Sequence, residues 1–356
     1  MSEKVLMKGN EAIGEAAVIA GCRHYFGYPI TPQSELIEYM AKRLPQVNGV
    51  FLQAESEIAA INMVYGAAGA GARVMTSSSS PGVSLKQEGI SYIAAGELPC
   101  VIVNIMRGGP GLGGIQPGQA DYFQATKGGG HGDYHCIVVA PNSVQEMAEL
   151  TVSAFNLADQ YRNPVMILGD GALGQMMEPV SFEDLRLIPV DKPWATMGIG
   201  DRVSPNRINT LYLKPETLEQ VNNALQAKYA MLQEREVRWE ETSTDDAELV
   251  LVAYGISSRI AYSAMEMARE NGYKVGLFRP ITLWPFPKAA LAKAVSNAAD
   301  VLTVELSAGQ MVEDVNLAIR CSKPVHFLGR TGGMMMSPQD IYERIVEIFK
   351  ANKGGK

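Results

Sequence analysis

Residues 50–82 read VFLQAESEIAAINMVYGAAGAGARVMTSSSSPG. Val50–Gln53 and Arg73–Thr76 are short apolar runs, and Glu57–Ala68 carries apolar residues at helical spacing. The stretch therefore predicts a strand, a helix and a second strand. Two consecutive strands joined through a helix lie parallel in one sheet, with the helix packed on a face of that sheet.

The same alternation continues on both sides of this stretch. It predicts further strands at Lys4–Met7, Tyr25–Tyr28, Pro99–Met106, Cys136–Val139 and Pro164–Leu168, and further helices at Ala12–Ala20, Glu35–Leu44, Leu85–Ala95 and Val144–Gln160. We therefore expect residues 1–175 to form an α/β domain, a parallel sheet covered by helices on both faces. Ligands of such sheets bind beyond the carboxyl ends of the strands.

A different pattern separates this domain from a second one. Residues 176–246 lose the alternation and contain several prolines, and within them Glu216–Glu241 predicts a long, polar, exposed helix, so we interpret this part as a linker with a helical arm. Alternation resumes in residues 247–350, which predict a second, smaller α/β domain. Its predicted strands are Leu249–Tyr254, Val275–Phe278, Val301–Val304 and Val325–Leu328.

Composition excludes several classes of protein. The 31 Lys and Arg residues are outnumbered by 38 Asp and Glu, the net charge is -7, and no basic cluster occurs, which argues against nucleic-acid binding. The longest apolar windows are far shorter than the roughly 20 residues that span a bilayer, so we expect no membrane segment. The start of the chain lacks the layout of a secretion signal and the four cysteines stand singly, which favours a reducing cytoplasm.

Tyr28–Glu35, with the sequence YPITPQSE, leaves a predicted strand and enters a predicted helix. Pro29 and Pro32 stiffen this turn. Thr31 therefore stands where the carboxyl end of a strand would present its hydroxyl to a ligand cleft. A second interpretation is that Thr31 or Ser34 caps the helix that follows.

Two charged residues stand at other predicted strand and helix ends. Glu57 opens a helix of small and apolar residues, so it is either an ordinary first-turn acid or a partly desolvated carboxylate held for a ligand. Arg107 ends a strand and begins a glycine-rich loop. Its guanidinium fork could clamp the carboxylate of a ligand, or it could pair on the surface with an acid such as Asp121.

These elements resemble one family. Tyr28–Pro32 (YPITP), the helix opened by Glu57 and Arg107–Pro110 (RGGP), in this order and spacing, resemble the alpha subunit of the 2-oxoacid:ferredoxin oxidoreductases. Within that family the chain most resembles the subunit of the 3-methyl-2-oxobutanoate (2-oxoisovalerate) enzyme. The Glu57 region is similar to the pyrimidine-binding domain of thiamine diphosphate enzymes. Residues 247–350, with Arg279–Pro285 (RPITLWP), are similar to the transketolase C-terminal-like domain.

The resemblance implies an activity and roles for particular residues. The activity is the oxidative decarboxylation of a 2-oxoacid, dependent on thiamine diphosphate and coenzyme A, to acyl-CoA, carbon dioxide and reduced ferredoxin. Glu57 would hydrogen-bond the aminopyrimidine ring of the cofactor and favour its imino tautomer, while Thr31 and Arg107 would hold the 2-oxoacid. The cofactor-binding residues that the resemblance implies are Glu57, Pro29, Ile30 and Ser80.

The remaining parts of such an enzyme are expected on other subunits. Iron–sulfur clusters need closely spaced cysteines, which this chain lacks. Gly169–Gly171 (GDG) resembles the start of a thiamine diphosphate magnesium site, but no Asn follows at the family's spacing, so we interpret it as a strand-end turn and expect no metal site in this chain. The resemblance thus implies a beta subunit that shares thiamine diphosphate and holds Mg²⁺, a gamma subunit, and a ferredoxin-like subunit with [4Fe-4S] clusters.

The sequence leaves the preferred substrate undecided and is compatible with more than one function. Gly111–Ile115 (GLGGI) stands where related 2-oxoglutarate enzymes carry Ser and Thr, which favours an apolar, branched substrate. A 2-oxoglutarate enzyme, a non-oxidative thiamine diphosphate decarboxylase and a catalytically silent scaffold are the alternatives. Gly329–Gly333 fits either an anion-binding turn for coenzyme A or a solvated interdomain loop.

Overall fold

The computed structural model describes residues 4–354. Residues 1–3, where the first predicted domain and the search for a signal segment both begin, lie outside the described residues. The strands are β1 (Val5–Lys8), β2 (His24–Gly27), β3 (Val50–Gln53), β4 (Val74–Ser78), β5 (Cys100–Met106), β6 (Ile137–Val139), β7 (Pro164–Asp170), β8 (Met177–Val180), β9 (Trp239–Thr242), β10 (Leu249–Val252), β11 (Val275–Pro280), β12 (Thr282–Trp284), β13 (Asp300–Glu305) and β14 (Val325–Gly329). The helices are α1 (Gly9–Ile19), α2 (Ser34–Arg43), α3 (Glu57–Gly69), α4 (Pro81–Ala95), α5 (Tyr122–Thr126), α6 (Val144–Tyr161), α7 (Gly171–Gln175), α8 (Pro215–Arg235), α9 (Gly255–Glu270), α10 (Lys288–Ala294), α11 (Met311–Ala318) and α12 (Pro338–Gly354).

The larger sheet has the strand order β12-β6-β7-β5-β4-β2-β3. Apart from β12 its strands pair in parallel. The strands β4, β5 and β7 are buried along their whole length, because helices cover both faces of a parallel sheet. The stretch quoted first forms β3, α3 and β4 of this sheet, and the predicted parallel α/β architecture is confirmed.

The smaller sheet has the strand order β14-β13-β10-β11-β9. Its four consecutive strands β14, β13, β10 and β11 are parallel, and β9 runs antiparallel at the edge. The strand β10 (LVLV) is fully buried, as its uninterrupted apolar run requires in a two-sided sheet. The second α/β unit predicted from the sequence is present.

Three local predictions were wrong. The strand β1 does not join the larger sheet but pairs antiparallel with β8, because a short apolar run does not specify its partner. The predicted helix Glu216–Glu241 ends at Arg235, since Trp239–Thr242 is needed as the edge strand beside β11. That helix is not wholly exposed either, as Leu225, Tyr229 and Leu232 are buried against the rest of the chain.

The two sheets are linked through buried polar contacts and one shared strand. The strand β12 follows β11 in the chain yet pairs with β6 of the larger sheet. The fully buried Gln119 side chain donates to the Tyr254 carbonyl at 2.9 Å and accepts from the Leu306 N–H at 3.0 Å. These contacts place the loops after β5 beside the carboxyl end of β13. In the part of the chain that the structure describes, no helix is long and apolar enough to cross a membrane.

Candidate functional site

The candidate site lies where β4 and β5 of the larger sheet end and α3 and α4 begin. Strand β4 is buried and apolar at its start, but its last three residues, Thr76, Ser77 and Ser78, are polar and equally buried. Buried hydroxyls at the carboxyl end of a central parallel strand are costly unless they are hydrogen-bonded. Their presence marks this end of the sheet as the place to look for bound molecules.

Glu57 begins α3 and is only 6% exposed. The helix is capped by Ser56, whose hydroxyl accepts from the Ala59 N–H at 3.2 Å, so the Glu57 carboxylate is not needed as a cap. Among residues 4–354 this carboxylate forms no hydrogen bond and no ion pair closer than 4.0 Å. A buried carboxylate with free acceptor sites is poised to bind a donor from outside the chain.

Gly82, in the first turn of α4, lies against Glu57. A Cβ atom at this position would come within 2.5 Å of Glu57 Oε1 and closer still to Ser78 Oγ. A side chain at residue 82 would therefore displace the carboxylate. Ser78 Oγ is itself buried and has no hydrogen-bond partner in the described chain. Glu57 and Ser78 together present unfilled polar atoms at one point beside the start of α4.

Arg107 directly follows the last residue of β5 and is 7% exposed. Nη1 donates to the Thr31 carbonyl and Nη2 to the Leu112 carbonyl, both at 2.8 Å. Nε is buried and has no partner in the described chain. Backbone carbonyls thus hold the guanidinium in place and leave donors free for a carboxylate ligand.

Ser80 connects the two sides of the site. Its hydroxyl donates to Asp121 Oδ2 at 2.6 Å and accepts from the Arg107 N–H at 3.1 Å. Asn104 Nδ2 donates to the same Asp121 oxygen at 2.9 Å, and burial raises the pKa of that carboxyl. The surface pairing of Arg107 with Asp121, one of the two sequence interpretations, is therefore wrong. Asp121 holds Ser80 and Asn104 instead.

A cavity of about 860 Å³ opens beside these residues and runs between the two α/β units. Ser80, Arg107 and Asp121 line it from the first unit, and Gln310, Thr331 and Gly332 line it from the second. Gly332 packs against Gly108. A Cβ atom added to Gly108 would lie 3.0 Å from the carbonyl carbon of Gly332. Thr331 and Gly332 of the Gly329–Gly333 stretch therefore form part of the cavity wall, with residues of both units facing the same space.

The YPITP turn contributes mainly its backbone. Pro29 and Thr31 are exposed, Ile30 is half-buried, and the Thr31 carbonyl is the acceptor that orients Arg107. The helix α2 begins at Ser34 after Gln33, without a hydrogen bond from the capping side chain. The interpretation of Thr31 or Ser34 as its cap is therefore wrong.

Lys86 is a residue of this region that the sequence analysis missed. It lies on α4 with no exposed surface, and its ammonium donates to Thr76 Oγ1 at 2.7 Å and to the Ser77 carbonyl at 2.9 Å. A Ser77 hydroxyl bonded to Tyr25 and Gln33 extends the same buried polar network. A lone lysine in a helical pattern gives no signal of burial, because most helix lysines are exposed.

Asp170 occupies the strand end that resembled a magnesium site. Its carboxylate accepts from the N–H groups of Ala172 and Leu173 at 3.0 and 3.1 Å, and from that of Ile256 at 3.3 Å. Burial raises the pKa of this carboxyl to about 6, while these backbone donors oppose the shift. Asp170 thus caps α7 and joins the two units. Within the described ranges no group of three or more His, Cys, Asp or Glu could hold a metal ion.

The two apolar side chains of the Gly111–Ile115 loop, which favoured a branched substrate in the sequence, are exposed. The Leu112 side chain is 83% exposed and that of Ile115 is 57% exposed. Neither side chain lines the cavity beside Arg107. An apolar pocket formed by these two side chains therefore gains no support from their positions in this chain.

Comparison with known proteins identifies relatives of the whole chain. A family model described as "Pyruvate flavodoxin/ferredoxin oxidoreductase, thiamine diP-bdg" matches residues 15–236, and one described as "Pyruvate:ferredoxin oxidoreductase core domain II" matches residues 247–341. The ketoisovalerate oxidoreductase subunit VorB of Methanothermobacter marburgensis is 54% identical over 96% of this chain and 97% of its own length. The 2-oxoglutarate synthase subunit KorA of Methanothermobacter thermautotrophicus is 36% identical over 98% of this chain and 100% of its own length.

Solved structures agree with the observed architecture. The 2-oxoglutarate:ferredoxin oxidoreductase of Magnetococcus marinus superimposes with a TM-score of 0.88 and 28% identity over 97% of this chain, which spans 65% of that longer chain. A split-gene transketolase superimposes with a TM-score of 0.61 over 96% of this chain and 97% of its own, at 15% identity. The second likeness concerns the fold alone, and it agrees with the thiamine diphosphate-type fold predicted from the sequence.

Proposed function

Because this chain belongs to the pyruvate flavodoxin/ferredoxin oxidoreductase family, we propose that it is the subunit that holds the pyrimidine half of thiamine diphosphate in a 2-oxoacid:ferredoxin oxidoreductase. The complex would convert a 2-oxoacid and coenzyme A to acyl-CoA and carbon dioxide and pass two electrons to ferredoxin. One observation carries the proposal. The Glu57 carboxylate is buried and has no hydrogen bond within the described chain, and it lies against a glycine that leaves room for it.

The unfilled polar groups of the site fit the proposed cofactor. Glu57 would accept from a ring N–H of the aminopyrimidine, and Ser78 Oγ would fill its free hydrogen-bonding position beside it. Thiamine diphosphate, when bound, supplies the carbanion chemistry that removes carbon dioxide from a 2-oxoacid. Glu57 contributes by holding a negative charge at the ring nitrogen, which favours the imino tautomer. We place Pro29, Ile30 and Ser80 along the cofactor on the strength of the family resemblance.

Arg107 would bind the carboxylate of the 2-oxoacid. Its guanidinium is fixed by the carbonyls of Thr31 and Leu112, so little conformational entropy is lost when a carboxylate pairs with the remaining donors. The unpartnered Nε supports this role, because a buried N–H without an acceptor is unfavourable until a ligand supplies one. The exposed Thr31 hydroxyl is the proposed donor to the oxo group.

We propose 3-methyl-2-oxobutanoate as the substrate. The support is the identity of 54% to a ketoisovalerate oxidoreductase subunit, against 36% to a 2-oxoglutarate synthase subunit. The Gly111–Ile115 loop is compatible with this choice only if Leu112 and Ile115 contact a partner or a closed form of the site, because both are exposed in this chain.

The rest of the active site would come from other subunits. A beta subunit would bind the diphosphate and Mg²⁺, a ferredoxin-like subunit would carry the [4Fe-4S] clusters, and a gamma subunit would complete the complex. The engagement of Asp170 by three backbone N–H groups supports this division, because it leaves that carboxylate little capacity for a metal ion. The four cysteines are unpaired, and three of them are buried, which supports the proposed cytoplasmic location.

The division into residues 1–175, a linker 176–246 and residues 247–350 is also kept as a proposal. Its support is that one family model ends at residue 236 and the other begins at residue 247. However, β9 from the linker pairs with the smaller sheet, and β12 from the second unit pairs with the larger sheet. The boundaries therefore divide the sequence, but they do not divide the structure into separable parts.

The decisive experiment is reduction of a viologen dye by the chain purified with its native partner subunits. The complex is supplied with coenzyme A and either 3-methyl-2-oxobutanoate, 2-oxoglutarate or pyruvate. We expect the branched acid to give the largest kcat/KM. Preference for 2-oxoglutarate would keep the reaction and replace the substrate. An aldehyde product without dye reduction would replace the oxidative reaction by a non-oxidative one.

A further inference from the structure

Lys86 is a charged residue in the interior of the chain, where charged side chains are rare. It lies one turn after Gly82 on α4, is completely buried, and donates two hydrogen bonds to the polar end of β4. An ammonium group has three N–H donors, so one is left without a partner among the described residues. Buried lysines of this kind persist only where a negative charge or a function compensates them.

The side of α4 that carries Lys86 is the side that faces Glu57. Residues four apart on a helix share one face, and Gly82 on that face lies against the Glu57 carboxylate. The acceptors of Lys86, on Thr76 and Ser77, immediately precede Ser78, which touches the same position. Within the described residues Lys86 forms no ion pair closer than 4.0 Å. The two charges therefore face each other across the polar end of β4 rather than in direct contact.

We propose that Lys86 is a positioning residue whose buried positive charge keeps the Glu57 carboxylate ionised where that carboxylate meets the pyrimidine ring of the cofactor. This inference rests on the proposed function of Glu57. An ionised carboxylate accepts a hydrogen bond from a ring N–H, which the imino tautomer provides. A protonated Glu57 would instead donate to the ring nitrogen and favour the amino tautomer.

The neighbouring titratable groups leave Glu57 as the partner of this charge. Burial lowers the pKa of Lys86 to about 7, and the negative charge of Glu57 is the largest influence opposing that shift. Cys100, at the start of β5, is the other group that acts on Lys86, and burial raises the pKa of its thiol, so that it stays neutral. Tyr25 reaches Ser77 from β2, and burial likewise raises the pKa of its hydroxyl.

The first experiment uses the assembled complex with thiamine diphosphate bound and no substrate. Near-ultraviolet circular dichroism reports the ratio of imino to amino tautomer of the bound cofactor. We expect Lys86→Met and Lys86→Gln to lower this ratio about tenfold at pH 6, below the pKa of about 7 that burial gives Lys86, because both variants lack the positive charge that acts on the Glu57 carboxylate. Lys86→Gln keeps an N–H donor for Thr76 or Ser77 and so separates the charge from the hydrogen bonds. A ratio within twofold of wild type in both variants would overturn the proposal.

Lys228 provides a matched control. It lies on α8, burial lowers its pKa, and it pairs with Glu97 at 3.1 Å, away from the candidate site. Lys228→Met removes a partly buried, paired lysine without touching the polar end of β4. We expect it to leave the tautomer ratio unchanged. An equal change in this variant would mean that the effect reports general loosening of the chain.

A second experiment remains informative if Lys86→Met folds poorly. The midpoint of urea unfolding is compared for the full-length chain carrying Lys86→Met, Glu57→Gln or both substitutions. If Lys86 balances Glu57, the single Lys86→Met variant retains an uncompensated buried carboxylate, and adding Glu57→Gln raises its midpoint. Additive effects, or failure of both Lys86→Met chains to fold, would assign Lys86 to the fold alone and overturn the proposal.

The Glu57→Gln complex separates this inference from the function beneath it. If Glu57→Gln keeps the wild-type tautomer ratio and the wild-type affinity for thiamine diphosphate, the role of Glu57 itself is wrong. If Glu57→Gln loses the imino signal and both Lys86 variants keep it, the role of Glu57 stands and that of Lys86 is overturned.

Discussion

Two buried glutamates, one in each α/β unit, are treated differently by their surroundings. Glu305 ends β13 and has no exposed surface. Its carboxylate accepts from the N–H groups of Met311 and Val312, each at 2.9 Å, and from the Ser307 hydroxyl at 3.0 Å. Glu57 begins α3, is almost as buried, and accepts from no group in the described chain.

Burial of an acid therefore does not by itself mark a functional site. Burial raises the pKa of Glu305, and the N–H groups at the start of α11 oppose that shift. The chain therefore fills the acceptor sites of Glu305 by itself and uses the carboxylate as a helix cap. It leaves those of Glu57 unfilled, which is an unfavourable arrangement in the absence of a ligand and an appropriate one in its presence.

The rate of dye reduction should distinguish the two glutamates most strongly. Glu57→Gln in the assembled complex should lower kcat for dye reduction by about 10²–10⁴-fold, because the neutral amide no longer holds a negative charge at the pyrimidine ring. Its urea midpoint should fall less than that of Glu305→Gln, since no hydrogen bond inside the chain is lost and only the attraction between Glu57 and the Lys86 charge is removed. Retention of more than a tenth of the wild-type rate would contradict the role given to Glu57.

Arg107→Ala should raise KM for the 2-oxoacid by about 10²-fold, because the variant loses the charge-assisted hydrogen bonds from the guanidinium to the substrate carboxylate. Its KM for coenzyme A should change little, because that substrate is not bound by the fork. Steady-state kinetics with each substrate varied in turn provide the measurement. Equal increases for the two substrates would mean that Arg107 supports the loop structure and does not recognise the 2-oxoacid.

Glu305→Gln should show the opposite pattern to Glu57→Gln. Removing the charge from a carboxylate that accepts several N–H bonds should lower the free energy of unfolding by about 3 kcal/mol, measured by urea denaturation of the full-length chain. The assembled complex should keep most of its dye-reducing activity at a temperature where the variant is folded. A selective loss of activity without loss of stability would erase the distinction between the two acids.

Asp170 is a third buried acid, and, like Glu305, its carboxylate accepts hydrogen bonds from backbone N–H groups of the chain. Burial raises its pKa from 3.8 to about 6, so the folded chain binds more protons than the unfolded chain between these values. The stabilisation is therefore complete below about pH 4 and is lost as the pH rises through 6. The stability difference between wild type and Asp170→Asn should fall by about 1–3 kcal/mol over this range, measured by urea denaturation across pH. A difference that grows with pH would mean that a cation pairs with Asp170.

Much of the architecture could be predicted because strands such as β7 and β10 contain continuous apolar runs between turn residues. The wrong predictions concern strands whose pairing partner lies far away in the sequence. The run that forms β1 looks like a strand of the main sheet but pairs with β8. The three-residue strand β12 lies between prolines and forms only because β6 offers it an edge.

The same distinction holds for the site. Glu57 and Arg107 could be proposed as site residues because a family motif surrounds them, whereas local pattern alone left both ambiguous. Surface pairing of Arg107 with an acid such as Asp121 was one of two interpretations of the sequence, but Asp121 holds Ser80 and Asn104. Lys86 was missed because its burial depends on the packing of α4 over β4, and a helix lysine carries no local sign of that environment.

The action of Glu57 on the bound cofactor is the central proposed step, and one measurement addresses it without substrate. The assembled complex with bound thiamine diphosphate is transferred to deuterium oxide, and the exchange rate of the thiazolium carbon-bound proton is followed in wild type, Glu57→Gln and Glu305→Gln. We predict that exchange slows by at least about 10²-fold in Glu57→Gln and is unchanged in Glu305→Gln. Wild-type exchange in a fully loaded Glu57→Gln complex would contradict the account.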